Sequence, residues 1–372
     1  MKTRAAVLYD FDKPLQVVDL DLDEPRENEV LVRLVANGLC GSDLHALRNE
    51  LPVALPMALG HEGAGIVEKV GPGVTNVKPG DHVVTTYNPF CNACEYCLTG
   101  YPFLCANWSG GTLEGVLPAG PGRLRDSAGN DIRQWCYLGT LSEHAVLSSM
   151  SVIKIDDDLP LPQASLVACG GATGFGAPFN RAKVQPGQSV VVIGCGGVGS
   201  FALQGARAAG ATTIIAADRN DFKLEMAKQH FGATHTINTE REDVVQRVKE
   251  LTRDGQGADH AFEVISTPET IAQAIEATAK AGTCTIIGMM QMDHVGLQIN
   301  PTMFVALHKT LYGSLYGASV PLADFRRYFD MYRSGQLKLD EAITREYRLD
   351  QVNEAFDDMI AGRNIRGVVR FD

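Results

Sequence analysis

The chain has no run of roughly eighteen apolar residues, so no membrane-spanning helix is expected. Its N-terminal stretch, MKTRAAVLYDFDKPLQVVDLDLDE, lacks an apolar segment long enough for a secretory signal. Both absences point to a cytoplasmic protein with no membrane partner. Basic residues are in the minority: 33 Lys and Arg against 44 Asp and Glu give a net charge of −11. Binding to phosphate backbones needs basic patches, so nucleic acid is excluded as a main partner. Internal repeats, low-complexity tracts and long blocks of like charge are also missing.

What is present reads as a soluble globular protein, with 45% apolar and 21% charged residues. A length of 372 residues suggests two domains, each with enough chain to bury a core. In a reducing compartment the nine cysteines are thiols or metal ligands rather than disulfides.

Up to about residue 150 the pattern is one of short strands and turns, with EVLVRLVANG, EGAGIVEKVG and DHVVTTY as strands. Near residue 170 the rhythm changes, and the strands resume after Gln188. SVVVIG, TTIIAAD, HTIN, ADHAFEVIS and TCTIIG read as buried strands. Between them SFALQGARAAG, DFKLEMAKQHFG, REDVVQRVKELTRDG and TPETIAQAIEATAKAG read as helices. Such alternation predicts an α/β fold, a doubly wound parallel sheet with helices on both faces. The last sixty or so residues break the alternation and return to the first domain. The expected division is therefore 1–170 with 313–372, against 171–312.

Gly194-Cys195-Gly196-Gly197-Val198-Gly199 fits the dinucleotide fingerprint G-x-G-x-x-G, and it stands between a strand and a helix, as that motif requires. The first glycine permits a tight turn, Gly196 lets backbone approach a pyrophosphate, and Gly199 lets helix pack on strand. Asp218 ends the next strand, where a carboxylate binds the ribose hydroxyls and repels a 2′-phosphate. This favours NAD over NADP, although Arg219 beside it is of the kind that meets a 2′-phosphate.

Cys91, Cys94, Cys97 and Cys105 follow the spacing C-x2-C-x2-C-x7-C. Four thiolates suit a closed, structural Zn²⁺ site, and close cysteine spacing also suits an iron–sulfur cluster. Cys136, Cys195 and Cys284 read as small apolar residues. Cys40 in CGSDLH and Cys169 in ACGGATGFGA each sit beside glycine, and His61 lies in LGHEGAG. Two thiolates and an imidazole would make an open, catalytic zinc site. Spacing alone does not establish that the three converge.

Taken together, GHEGAGIVEKVGPGV, the four-cysteine loop, ACGGATGFGA, the glycine loop with Asp218 and the C-terminal IRGVVRF resemble the zinc-containing alcohol dehydrogenases of the medium-chain dehydrogenase superfamily. The resemblance covers essentially the whole chain. It implies a β-rich GroES-like catalytic domain beside a Rossmann cofactor domain, two Zn²⁺ per chain, and NAD. By that resemblance Cys40, His61 and Cys169 bind the catalytic zinc, with Glu62 behind it and Asp43 orienting His61. Ser42 would bond the substrate oxygen and His45 would end the proton relay. Lys223 would contact the adenosine ribose, and Arg366 the pyrophosphate. Tyr87 and Tyr137, joined by Trp108, would line the substrate cleft. The family often carries arginine or histidine where Gly41 stands here, so one pyrophosphate contact is absent.

The implied reaction is reversible oxidation of a primary alcohol, aromatic ones included, to the aldehyde. The long stretch between Cys105 and Cys169 also resembles thiol-dependent formaldehyde dehydrogenases. Their substrate has a carboxylate tail, for which Arg123, Arg125 and Arg133 are candidates. A nicotinoprotein, keeping its NAD bound, is a further alternative. A non-catalytic relative would have lost Cys40, His61 and Cys169. The resemblance implies a homodimer, or else a homotetramer, joined edge to edge through the cofactor-domain sheets. Met289, Met290 and Met292 are expected to pack in a core or cleft.

Overall fold

A computed structural model describes residues 1–108, 113–117, 120, 123–292, 294, 296, 297 and 299–371. Its contacts separate two compact units. One comprises Met1–Cys169, Val320–Phe329 and Ile343–Asp372, and the other Gly170–Ser319 and Asp330–Ala342. Residues 313–319 and 330–342, expected with the first unit, thus group with the second.

In the first unit the strand Glu29–Gly38 is central. It pairs antiparallel with Glu62–Val70, His144–Ser148 and Arg366–Arg370. Its side chains alternate between faces, as a strand's must. Val30, Val32 and Leu34 enter one core with Val67, Val83, Leu147 and Val369, whereas Leu31 joins another with Ala5, Leu20 and Val146. A closed barrel adjoins this sheet, built from Lys2–Leu8, Gln16–Leu22, Leu124–Arg125, Asp131–Gln134 and Met57–Ala58.

The second unit holds a six-stranded sheet in the order His235–Asn238, Thr213–Asp218, Ser189–Ile193, Ala258–Glu263, Thr278–Ile286, Thr310–Gly313. Every pairing is parallel. This is the doubly wound nucleotide-binding order. The last strand was not apparent from the sequence.

Two helices end earlier than their patterns suggest. TPETIAQAIEATAKAG is helical only over Pro268–Ala277, and Thr278–Ile286 is strand. Lys309 Nζ donates to the Ile275 carbonyl at 2.6 Å, closing that helix, while Thr278 pairs with Ala258. Sheet pairing outweighs the helix propensity of the TAKAG segment. REDVVQRVKELTRDG is helical only over Val244–Leu251; it also starts later than its pattern, because Asp243 accepts the Gln246 N–H and caps the helix there. Met289 and Met292 are exposed rather than packed in a core. Among the described residues no helix is long and apolar enough to cross a membrane.

Candidate metal and cofactor sites

The pairing of Gly38 with Glu62 brings two chain segments together at one end of the sheet's strands. Past Gly38 the chain turns at Cys40 into the helix Gly41–Leu47. Before Glu62 stands His61, preceded by Gly60 at φ +93°, where a Cβ would lie 2.2 Å from the Leu141 backbone nitrogen. Only glycine fits that approach. Cys169 arrives from the short helical turn Leu166–Ala168. The ligand atoms of Cys40, His61, Glu62 and Cys169 all lie within 4.8 Å of one another, and all four residues are buried.

The residues behind this cluster aim it. Asp43, on the first turn of the Gly41–Leu47 helix, is fully buried. Its Oδ1 lies 3.0 Å from His61 Nδ1 and accepts the Gly60 N–H at 3.1 Å. The other ring nitrogen of His61 is thereby left for a metal. Thr85 Oγ1 donates to the His61 carbonyl at 3.2 Å and accepts the Gly63 N–H at 2.9 Å. Glu62 receives a charged hydrogen bond from Arg366 Nη2, both side chains being buried. Gly38 makes room for this pair, since a Cβ there would lie 2.2 Å from Glu62 Oε2. The resemblance put Arg366 at the cofactor pyrophosphate; in the structure it is bonded to Glu62.

The three donors hold their protons unequally. A hydrogen bond from Cys169 holds the Cys40 thiol well below its ordinary range, aided by the His61 charge and opposed by burial. The same bond raises Cys169, and burial raises it further. Burial alone would lower the pKa of His61, but the Asp43 and Cys40 charges outweigh it and raise it well above the usual histidine value. A metal would displace the protons on Cys169 and His61.

Ser42 Oγ lies 3.7 Å from Cys40 Sγ. His45, three residues on and on the same helix face, is half-buried, and its Nδ1 is bonded to Glu50 Oε2. Tyr87 and Trp135 stand edge-on to His61, with ring centroids at 5.8 and 6.4 Å. Tyr137 is buried, donates its hydroxyl to the Trp108 carbonyl at 2.6 Å, and packs edge-on against the Trp108 ring. Glu50 and Trp135 were missed from the sequence, where neither carries a motif. Cys136, a further buried thiol, is pushed up to about 12 by burial.

In the four-cysteine loop, Sγ–Sγ distances are 3.9 Å for Cys91–Cys97, 3.5 Å for Cys94–Cys97 and 3.9 Å for Cys94–Cys105. A tetrahedral ion with Zn–S bonds of about 2.3 Å sets sulfurs about 3.8 Å apart. The donor set therefore fits a single zinc ion.

In the second unit Gly194 has φ +94°, and a Cβ on Gly199 would lie 1.8 Å from the Gly194 carbonyl oxygen. Both are glycine for reasons internal to the fold. Gly196 is different: a Cβ there would meet only Lys223 Nζ, at 3.7 Å. The space it leaves is a cradle for something other than protein, which fits a pyrophosphate. Gly197 and Val198 open the helix Gly197–Ala208. Asp218 Oδ2 accepts the Cys195 N–H at 2.8 Å, and its Oδ1 accepts the Asn220 N–H at 2.9 Å. Asp218 thus shapes the glycine loop itself. Arg219 is exposed.

Comparison with known proteins agrees with this geometry. The family model described as "Alcohol dehydrogenase GroES-like domain" matches residues 26–157, and the one described as "Zinc-binding dehydrogenase" matches 197–334. An NDMA-dependent alcohol dehydrogenase from Amycolatopsis methanolica is 43% identical over 99% of each chain. The chain belongs to the zinc-containing alcohol dehydrogenase family. An S-(hydroxymethyl)glutathione dehydrogenase from Paracoccus denitrificans is 38% identical over the full length of both chains. The crystal structure of benzyl alcohol dehydrogenase from Acinetobacter calcoaceticus superposes with a TM-score of 0.94 at 32% identity, covering all of both chains. As an alcohol dehydrogenase the chain uses zinc and NAD, and the donor sets above suit one structural and one catalytic ion.

Proposed function

We propose that this cytoplasmic enzyme interconverts primary alcohols, aromatic ones among them, and their aldehydes. The observation that carries the reading is the convergence of Cys40, His61 and Cys169, with Asp43 behind His61. Three protein ligands leave a zinc position open to substrate. Zinc, when bound, supplies Lewis acidity toward the substrate oxygen, and NAD supplies the hydride acceptor.

The remaining work falls to the chain. Ser42 Oγ hydrogen-bonds the alcohol hydroxyl. His45, half exposed and on the same helix face, passes the proton to solvent, and Glu50 orients its ring. Arg366 neutralises Glu62 and keeps that acid from closing the open position. Tyr87 and Trp135 give the neighbourhood of His61 an aromatic character, which suits an aromatic substrate, and Tyr137 with Trp108 completes the cleft in this reading. Lys223 and Asp218 hold the adenosine ribose, and Gly194 to Gly199 hold the pyrophosphate.

The arginines considered for a carboxylate tail are engaged within the fold. Arg123 forms a buried two-pronged pair with Glu29, Arg125 grips Asp23 with two prongs in a part-exposed pair, and Arg133 donates to the Glu114 carbonyl. This argues against a thiol-adduct substrate. A permanently held nicotinamide is a second reading, supported by the 43% identity to a relative whose name states a dependence on NDMA. A homodimer is proposed through the edge strand Thr310–Gly313, beside which Met303 and Val305 are exposed.

Metal and nicotinamide content, measured together on desalted protein, tests the reading. Two zinc ions per chain and alcohol-dependent reduction of added NAD⁺ are expected. If NAD instead survives gel filtration stoichiometrically, the held-cofactor reading stands. One zinc or none, in protein never exposed to chelator, overturns the two-site assignment.

A further inference from the structure

The parallel sheet reverses its direction of growth between Ser189–Ile193 and Ala258–Glu263. Ligands of such sheets bind beyond the carboxyl ends of the strands at this switch. Ile193 and Glu263 are the last residues of the two strands and are register partners. Gly194 follows the first, and the turn Val264–Thr267 follows the second.

Glu263 is fully buried, and no basic side chain pairs with it among the described residues. Its Oε1 accepts the N–H groups of Ile265 at 2.9 Å and Ser266 at 2.7 Å, and the Thr270 hydroxyl at 2.8 Å. Its main-chain oxygen accepts from Ile287 at 2.8 Å and Gly288 at 3.2 Å. One residue therefore ties together the turn, the start of the helix Pro268–Ala277 and the end of the next strand. Burial pushes its carboxyl above the usual range.

The turn it holds is strained and tightly placed. Ser266 has φ +72°, a conformation that side-chain-bearing residues rarely adopt. A Cβ on Gly194 would lie 2.6 Å from Ile265 Cγ1, and one on Gly288 would lie 2.8 Å from the Ser266 nitrogen. The turn is wedged between the glycine loop and the end of the neighbouring strand.

We propose that Glu263 is a positioning residue for the dinucleotide: it clamps the Val264–Thr267 turn so that Ile265 braces Gly194 and the glycine loop keeps its receptive shape. The acid acts as a hydrogen-bond acceptor through the turn and does not touch the cofactor. The proposal rests on the glycine loop as the NAD site.

The test uses full-length, zinc-replete enzyme. The readouts are NADH affinity and release rate by fluorescence, with zinc content and Tm alongside. Glu263→Leu removes the acceptor from three donors. It should weaken NADH binding by about tenfold or more, as loss of well-placed buried hydrogen bonds does, and leave two zinc ions bound. Glu263→Gln keeps an acceptor oxygen and should stay within about threefold of the parent. Thr270→Val removes one donor to Glu263 together with its half of the capping box with Thr267, a smaller change than losing the acid, and should weaken NADH by about threefold, which keeps the test open if Glu263→Leu does not fold. Unchanged NADH binding in Glu263→Leu with a lowered Tm would show a merely structural role and overturn the proposal. So would a Glu263→Gln variant as impaired as Glu263→Leu. Gly196→Val is the separate control: normal NADH binding there would defeat the glycine-loop reading itself.

Discussion

His61 Nδ1 lies 3.0 Å from Asp43 Oδ1, with both side chains buried next to the thiols of Cys40 and Cys169. Partners of this kind fix the ring orientation and tautomer of a metal-binding histidine, and their loss weakens metal affinity by about 10- to 100-fold. Asp43→Ala should therefore release the catalytic zinc to a chelator that the parent resists, while the four-cysteine zinc stays. Zinc counted per chain after chelator challenge checks this. Equal retention in variant and parent would remove Asp43 from the site's design.

The Glu62–Arg366 pair is buried in the same unit. Removing one partner of a buried ion pair strands the other charge and costs about 3–5 kcal/mol, whereas removing both charges costs far less. Arg366→Met should lower Tm sharply, and the double variant Glu62→Gln/Arg366→Met should recover most of the loss. Thermal unfolding of the parent, Glu62→Gln, Arg366→Met and the double variant decides it. Additive losses in the double variant would mean that the two side chains act independently.

Gly196 and Gly199 should separate ligand binding from folding. A methyl group on Gly199 meets the Gly194 carbonyl at 1.8 Å, so Gly199→Ala should lower Tm with or without cofactor. A methyl group on Gly196 makes only an ordinary contact with Lys223, so Gly196→Ala should keep its Tm and weaken NADH by about tenfold. Fluorescence titration beside a melting curve tells the two apart. A Gly196→Ala variant with unaltered affinity would contradict the cradle assigned to it.

The zinc-free four-cysteine loop should show a pH-dependent reactivity. N–H groups of Ala93 and Cys94 point at the Cys91 sulfur at 3.4 and 3.3 Å and lower its pKa to about 6. Its thiolate therefore forms as pH rises through that value, and is lost below it. Cys97 is instead pushed up to about 12, chiefly by burial. In chelated protein at pH 7, alkylation followed by peptide mass spectrometry should find Cys91 modified before Cys97, with the preference fading below about pH 6. The reverse order would show that the backbone donors do not control the loop.

Much of this was legible in the residues because it rests on local rules. Gly194 and Gly199 are glycine for steric reasons internal to one turn, and strand–helix alternation announces a parallel sheet without any long-range information. The four-cysteine spacing closes on itself within one loop. The same local rules misread TAKAG as helix, since only its pairing with Ala258 makes Thr278 extended.

By itself, then, the sequence determined what short-range chemistry determines: the two kinds of domain, the glycine turn, the closed zinc loop and the donor types of the catalytic site. Tertiary structure decided which distant groups meet. Cys40, His61 and Cys169 come together because an antiparallel register and a later chain crossing bring them to one end of the strands. Arg366 reaches Glu62 from the far end of the chain, Arg123 is held by Glu29, and Glu263 joins a turn and a helix through one carboxyl oxygen and the next strand's end through its main-chain oxygen. No spacing rule encodes those partnerships. They follow from burial, which leaves a polar group stable only where a partner lies within hydrogen-bond reach.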